Sequence, residues 1–173
     1  MGQQISLTAS DGHNLGAYIG EPTGTPKGGL VVIQEIFGVN SHVRTLVDEF
    51  AAEGYLAIAP ALFDRVEAGM ELGYTETDFA AARETRGKLN DEGILADVDA
   101  AAKHVASAGK VGLIGYCFGG YVAWISGCNL GSLAASVACY GGGVAGRAAN
   151  DTPKMPIQMH FGDKDHAIPM GDV

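Results

Sequence analysis

Short runs of aliphatic and β-branched residues recur along this chain, and between them the apolar positions fall into stripes of helical period. Residues 29–34 (GLVVIQ) and 55–59 (YLAIA) are apolar with little alternation, the pattern of strands buried on both faces, and 110–116 (KVGLIGY), 133–140 and 156–161 (PIQMHF) read as further strands. Residues 41–53 place Val43, Leu46, Val47 and Phe50 on one stripe and end at Gly54. The stretches 75–89, 91–107 and 118–128 read as further helices, the second with Ile94, Leu95, Val98, Ala101, Ala102 and Val105 on its stripe. Strands separated by helices pair in parallel through right-handed crossovers. The pattern therefore predicts an α/β fold, a mostly parallel central sheet with helices on both faces. Before it, residues 3–9 and 14–20 flank Asp11-Gly12 and predict a β-hairpin, while 21–28 read as loop. Residues 63–74 have no clear period and are expected to form a surface loop over one end of the sheet.

Composition narrows the function classes. With 173 residues, 47% hydrophobic and 18% charged, the chain suits one globular domain and not a disordered segment. A net charge of −9 without a basic run gives phosphate backbones and anionic membranes nothing to bind, so neither nucleic acid nor membrane is an expected partner. Cys117, Cys128 and Cys139 lack CxxC spacing, and the five histidines, at 13, 42, 104, 160 and 166, lack zinc-ligand spacing with them. No metal, cofactor or disulfide frame is expected. Residues 1–10 do not form a signal peptide, and apolar stretches of about ten residues are half a membrane span, so a cytoplasmic location is expected. The GxGxxG spacing at residues 141–146 follows a predicted strand, but Pro153 comes too soon for the packing helix of a dinucleotide site.

In parallel sheets, chemistry collects where strands stop. Three strand ends carry residues that apolar packing would not select. Gly115-Tyr116-Cys117-Phe118-Gly119-Gly120 lies between a strand and a helix and has the nucleophile-elbow pattern with Cys in place of Ser. The helix that starts there is expected to favour the thiolate, although a small buried hydrophobe would also fit the position. Cys128 and Cys139 have no such setting and are expected in the core. Glu35 ends the run Val31-Val32-Ile33 and either faces a cleft or lies on the surface before a helix. The turn at residues 162–169 (GDKDHAIP) carries Asp165, a composition that Asx turns also produce.

Taken together, Gln34-Glu35-Ile36-Phe37-Gly38-Val39-Asn40, residues 112–120 (GLIGYCFGG), Gly54-Tyr55, Pro60, Gly162 and Asp165-His166 with Pro169 resemble the dienelactone hydrolase (carboxymethylenebutenolidase) family of the α/β-hydrolase fold over nearly the whole chain. The resemblance implies a hydrolase that opens an activated ester or enol lactone by acyl transfer. Cys117 would be the nucleophile, Asp165 the triad acid and Glu35 a carboxylate beside the thiol. The N–H groups of Ile36 and Phe118 would form the oxyanion hole, and Arg83 or Arg86 would bind a substrate carboxylate.

The family order of nucleophile, acid and His places the catalytic His beyond Val173, because none of the five histidines suits the role. Residues 1–173 are therefore expected to be a single α/β-hydrolase domain, incomplete at its C-terminus and lacking the last strand and helix, with impaired catalysis. Self-association through the exposed strand 156–161 is then expected. The alternative is a non-catalytic relative, acting as a redox-sensing thiol protein or an interaction domain.

Overall fold

Val31 lies beside Ile58 on one neighbouring strand and Leu113 on the other, and all three side chains are buried. The computed structural model describes residues 1–173. Its strands are β1 (Gln3–Thr8), β2 (Asn14–Gly20), β3 (Gly29–Ile33), β4 (Leu56–Pro60), β5 (Val111–Tyr116), β6 (Ala135–Cys139) and β7 (Ile157–His160). They form one sheet in the order β1-β2-β4-β3-β5-β6-β7. The β1–β2 hairpin is antiparallel, β2 is antiparallel to β4, and the other pairs are parallel. Pro60 is the last residue of β4, opposite Ala17 of β2.

The first three helices start where a side chain takes over their free N–H groups. Asn40 accepts from the N–H groups of His42 and Val43 at the head of α1 (Ser41–Ala52). Thr75 and Asp78 form a reciprocal capping box at α2 (Glu76–Lys88), and Asn90 caps α3 (Asp91–His104). Beyond them lie α4 (Phe118–Asn129) and a short α5 (Val144–Ala148).

The helical cover is uneven. On one face, α3 and α4 bury a core of 27 residues that includes Ile33, Ile94, Val98, Leu113, Val122 and Ile125. On the other, α1 covers only β2, β4 and β3, over a cluster of seven residues around Val32, Val47 and Ala57. Beside α1 a groove of about 550 Å³ runs over the sheet, with Leu30, Phe50, Ile114 and Val137 in its walls.

Two expectations need correction. Cys139, expected in the core, is half-buried, whereas the last strand, expected to be exposed, pairs only with β6 and leaves Gln158, Met159 and His160 exposed. Residues 63–74 are more than a surface loop. They begin within a 3-10 turn, Leu62–Arg65, whose Leu62 and Phe63 are buried. Asp64 ties this stretch down by accepting from the N–H groups of Gly16 at 2.7 Å and Gly69 at 2.8 Å. Residues 141–153 hold only the five-residue α5, entered through Gly143 at φ 89°. No helix is long and apolar enough to cross a membrane.

Candidate active site

Cys117 joins the end of β5 to the start of α4 in a left-handed conformation, φ 54° and ψ −117°. Such a backbone costs on the order of 1–3 kcal/mol in a residue with a Cβ and persists only when its surroundings impose it. Here they do. The Cys117 N–H donates to the Cys139 carbonyl at 3.1 Å, and the Cys117 carbonyl accepts from Gly120 and Tyr121 at 2.9 and 3.3 Å. A Cβ at residue 119 would lie 2.6 Å from the Ile33 carbonyl oxygen. One at residue 115 would collide with the Gly119 carbonyl, and one at residue 120 with that of Cys139. The elbow glycines thus allow β5, α4 and the end of β3 to touch backbone to backbone.

The electrostatics correct the expected thiolate. Burial pushes the Cys117 thiol up, the Phe118 N–H acts in the opposite sense, and the negative charges of Glu35 and Asp165 push it further up. Desolvation and two carboxylates outweigh the helix end, so the resting sulfur is a thiol at neutral pH. Alkylation of Cys117 by iodoacetamide is therefore expected to keep accelerating with pH beyond the ordinary thiol value of 9.0. Glu35→Gln should move that profile to lower pH. A plateau below pH 8, or an unmoved profile in the variant, would contradict this electrostatic account.

Glu35 follows β3 directly and is half-buried. The Tyr140 hydroxyl donates to its Oε1 at 3.4 Å. Tyr140 is the one other non-glycine residue with positive φ, 40°. Burial and the neighbouring charge of Glu35 raise its phenol, which keeps it a donor. The Ile36 N–H has no acceptor within the chain, and the Phe118 N–H opens α4, where intrahelical partners are lacking. Asp165 is half-buried in the turn after β7, with Oδ1 accepting from the Ala167 N–H at 2.8 Å.

The α2 helix closes one side. Phe79 packs edge-on against Phe37 with ring centroids 5.0 Å apart, and the Arg86 guanidinium lies 4.6 Å over the Phe118 ring. Arg83 is exposed and forms no ion pair. No histidine side chain is bonded to Cys117, Glu35 or Asp165, and His42, His104, His160 and His166 are exposed. No three His, Cys, Asp or Glu side chains converge as metal ligands.

A thiol on a strained strand-to-helix elbow, packed against the end of β3 and followed there by a loop whose Ile36 N–H is free, is the arrangement of acyl-transfer α/β-hydrolases. The sequence profile of the dienelactone hydrolase family matches residues 15–173. The chain belongs to the dienelactone hydrolase family. A carboxymethylenebutenolidase of Pseudomonas putida is 35% identical over 175 residues, which cover 95% of this chain and 72% of that protein. A protein of Synechocystis sp., provisionally named carboxymethylenebutenolidase, is 36% identical over 174 residues, covering 91% of this chain and 70% of its own length. The crystal structure of a provisionally assigned dienelactone hydrolase from Klebsiella pneumoniae superposes with a TM-score of 0.81 at 33% identity, covering 98% of this chain and 77% of that one. This member of the dienelactone hydrolase family is accordingly a hydrolase with the α/β-hydrolase fold.

Of the residues singled out in the sequence, Glu35 and Asp165 lie within charge–charge reach of Cys117. Ile36 follows Glu35, Phe118 follows Cys117, and Arg86 stacks on Phe118. Sequence reasoning missed Tyr140. It ends the predicted strand 133–140, and a polar aromatic at a strand's carboxyl end was the signal for it.

Proposed function

We propose that this chain opens an activated ester or enol lactone through a thioester on Cys117. The observation that carries this reading is the elbow itself, a strained Cys117 between three positions that admit only glycine. The Cys117 sulfur attacks the carbonyl carbon, and the resulting oxyanion accepts hydrogen bonds from Ile36 and Phe118. Collapse breaks the carbon–oxygen bond to the enol. The thiol proton ends on the departing oxygen, and an enol is a good enough leaving group for sulfur to displace. Water then cleaves the thioester to the acid and restores the thiol. Asp165 acts as the triad acid, and Glu35 holds the resting thiol protonated. Arg86, beside Phe118, and Arg83 on the same side of α2 would receive a carboxylate carried by the substrate. The relatives' name, carboxymethylenebutenolidase, supports a lactone that bears such a group.

Intact mass measured after incubation with an enol lactone should show one acyl group on Cys117, absent in Cys117→Ala. Oxidation products alone would favour a redox-sensing thiol. The raised thiol argues against that role, since sensor cysteines have low pKa values.

The same reading includes self-association through residues 156–161. One side of β7 lacks a strand partner, and Met159 is 45% exposed on it. Sedimentation is expected to show a concentration-dependent dimer that Met159→Lys shifts to monomer, and a monomer at all concentrations would exclude it.

A further inference from the structure

Gln34 is the largest polar side chain in the molecule with no exposed surface, at 0%. It stands at the last turn of the chain before the proposed oxyanion hole, and both ends of its carboxamide are occupied. Oε1 accepts from the Leu62 N–H at 3.1 Å, and Nε2 donates to the Glu35 carbonyl at 3.3 Å. The assignment of the two ends is fixed by chemistry, because an N–H needs an acceptor and a carbonyl needs a donor. The carboxamide thus bridges the chain leaving β3 to the chain leaving β4.

The Glu35 carbonyl and the Ile36 N–H belong to one peptide unit, and in a planar trans peptide they point in opposite directions. Drawing the carbonyl inward to Gln34 turns the Ile36 N–H outward, where it has no acceptor within the chain. One residue earlier, the Ile33 and Gln34 carbonyls rest against Gly119, where a Cβ would lie 2.6 and 2.8 Å from them. Successive peptides at this strand end are thus clamped, first by the elbow helix and then by the Gln34 side chain. We propose that Gln34 is the positioning residue of the oxyanion hole, fixing the peptide that aims the Ile36 N–H at the carbonyl oxygen of the bound ester. The inference rests on the acyl-transfer reading above.

Two variants of nearly unchanged volume test it. Gln34→Glu keeps an acceptor for Leu62 but places a carboxylate against the Glu35 carbonyl, and Gln34→Met removes both bonds. Each should lower the acylation rate constant for an enol lactone by about 10²–10³, the effect of losing one oxyanion donor, with KM changed little. Iodoacetamide alkylation of Cys117 involves no oxyanion and should stay within about twofold of wild type. The rate ratio between an ester and its thiono analogue reports the hole directly, because sulfur accepts these hydrogen bonds weakly. That ratio should shrink toward one in both variants. Acylation and thiono ratio at wild-type values in a folded variant would overturn the role of Gln34, and a parallel fall in alkylation would reduce Gln34 to a structural bridge. Should neither variant fold, the wild-type chain decides by amide NMR. A trifluoromethyl ketone adduct on Cys117 should shift the Ile36 N–H strongly downfield while the Gln34 side-chain amide protons stay slow to exchange. An unmoved Ile36 signal, or Gln34 protons that exchange as fast as those of exposed Gln158, would overturn the inference. If the wild-type chain forms no acyl adduct at all, it is the acyl-transfer reading that fails.

Discussion

Mixed with an enol lactone, the 173-residue chain is expected to take one acyl group rapidly and release it slowly. Steady-state turnover should fall on the order of 10⁴ to 10⁶ below that of a chain in which an imidazole bridges thiol and acid. The elbow and its two N–H groups are in place, so attack on a carbonyl with a good leaving group retains its electrostatic support. Thioester hydrolysis is different, because water is a poor nucleophile without a base. Asp165 is tied to the Ala167 N–H, and no histidine within residues 1–173 is bonded to it. His160 ends an exposed edge strand, and His166 is an exposed neighbour of Asp165. Stopped-flow release of the enol should show a burst of one equivalent per chain, and Cys117→Ala should abolish it. Extending the chain to the full length of its longer relatives should convert burst into turnover. Turnover by residues 1–173 within tenfold of the extended chain would show that one of these histidines serves as the base, with His160 and His166 the first to replace.

Much of this site was legible because glycine is a positional signal. Gly115, Gly119 and Gly120 each stand where a Cβ would strike backbone, and only that geometry calls for three glycines around one cysteine. The parallel strands were legible for a similar reason, since Val31, Ile58 and Leu113 must be buried on both faces. The thiol's charge state was not. A helix N-terminus can be read from sequence, but the approach of Glu35 and Asp165 to Cys117 depends on how β3, β5 and β7 are ordered in the sheet. Tyr140 was hidden in the same way, because Glu35 lies 105 residues away in the chain.

Removal of the Arg65 side chain should produce the largest loss of stability of any substitution outside the elbow. Asp97 on α3 has no exposed surface, and the Arg65 fork holds both its oxygens at 2.7 Å. The third guanidinium nitrogen reaches Asp11 at 2.8 Å and holds that exposed carboxyl down at about 2. Arg65→Ala leaves Asp97 buried without its counter-ion, which costs about 3–5 kcal/mol, a large share of an ordinary folding free energy. For a chain of this length that corresponds to a fall in Tm of roughly 6–20 °C. Replacing both partners by Met and Leu should instead leave stability unchanged or raise it, by up to about 4 kcal/mol, because no charge is then buried. The single variant should also show a stronger pH dependence. Burial raises the Asp97 carboxyl above 3.8, and Arg65 is the main group that pulls it back. Without Arg65 the folded value lies further above the unfolded one. The stability this group supplies is then present below the unfolded value and lost as pH rises through the folded one. The deficit of Arg65→Ala should therefore shrink between pH 7 and pH 4.5 relative to wild type. Arg65 also opens the segment that supports the oxyanion loop, where the Leu72 N–H donates to Phe37 at 2.9 Å and Asn40 donates to Leu72 at 3.3 Å. Acylation should accordingly weaken in Arg65→Ala even at temperatures where the fold persists. Urea unfolding at the two pH values decides the matter: a deficit below 1 kcal/mol, or one equal at both, would mean that Asp97 is solvated and the pair contributes little.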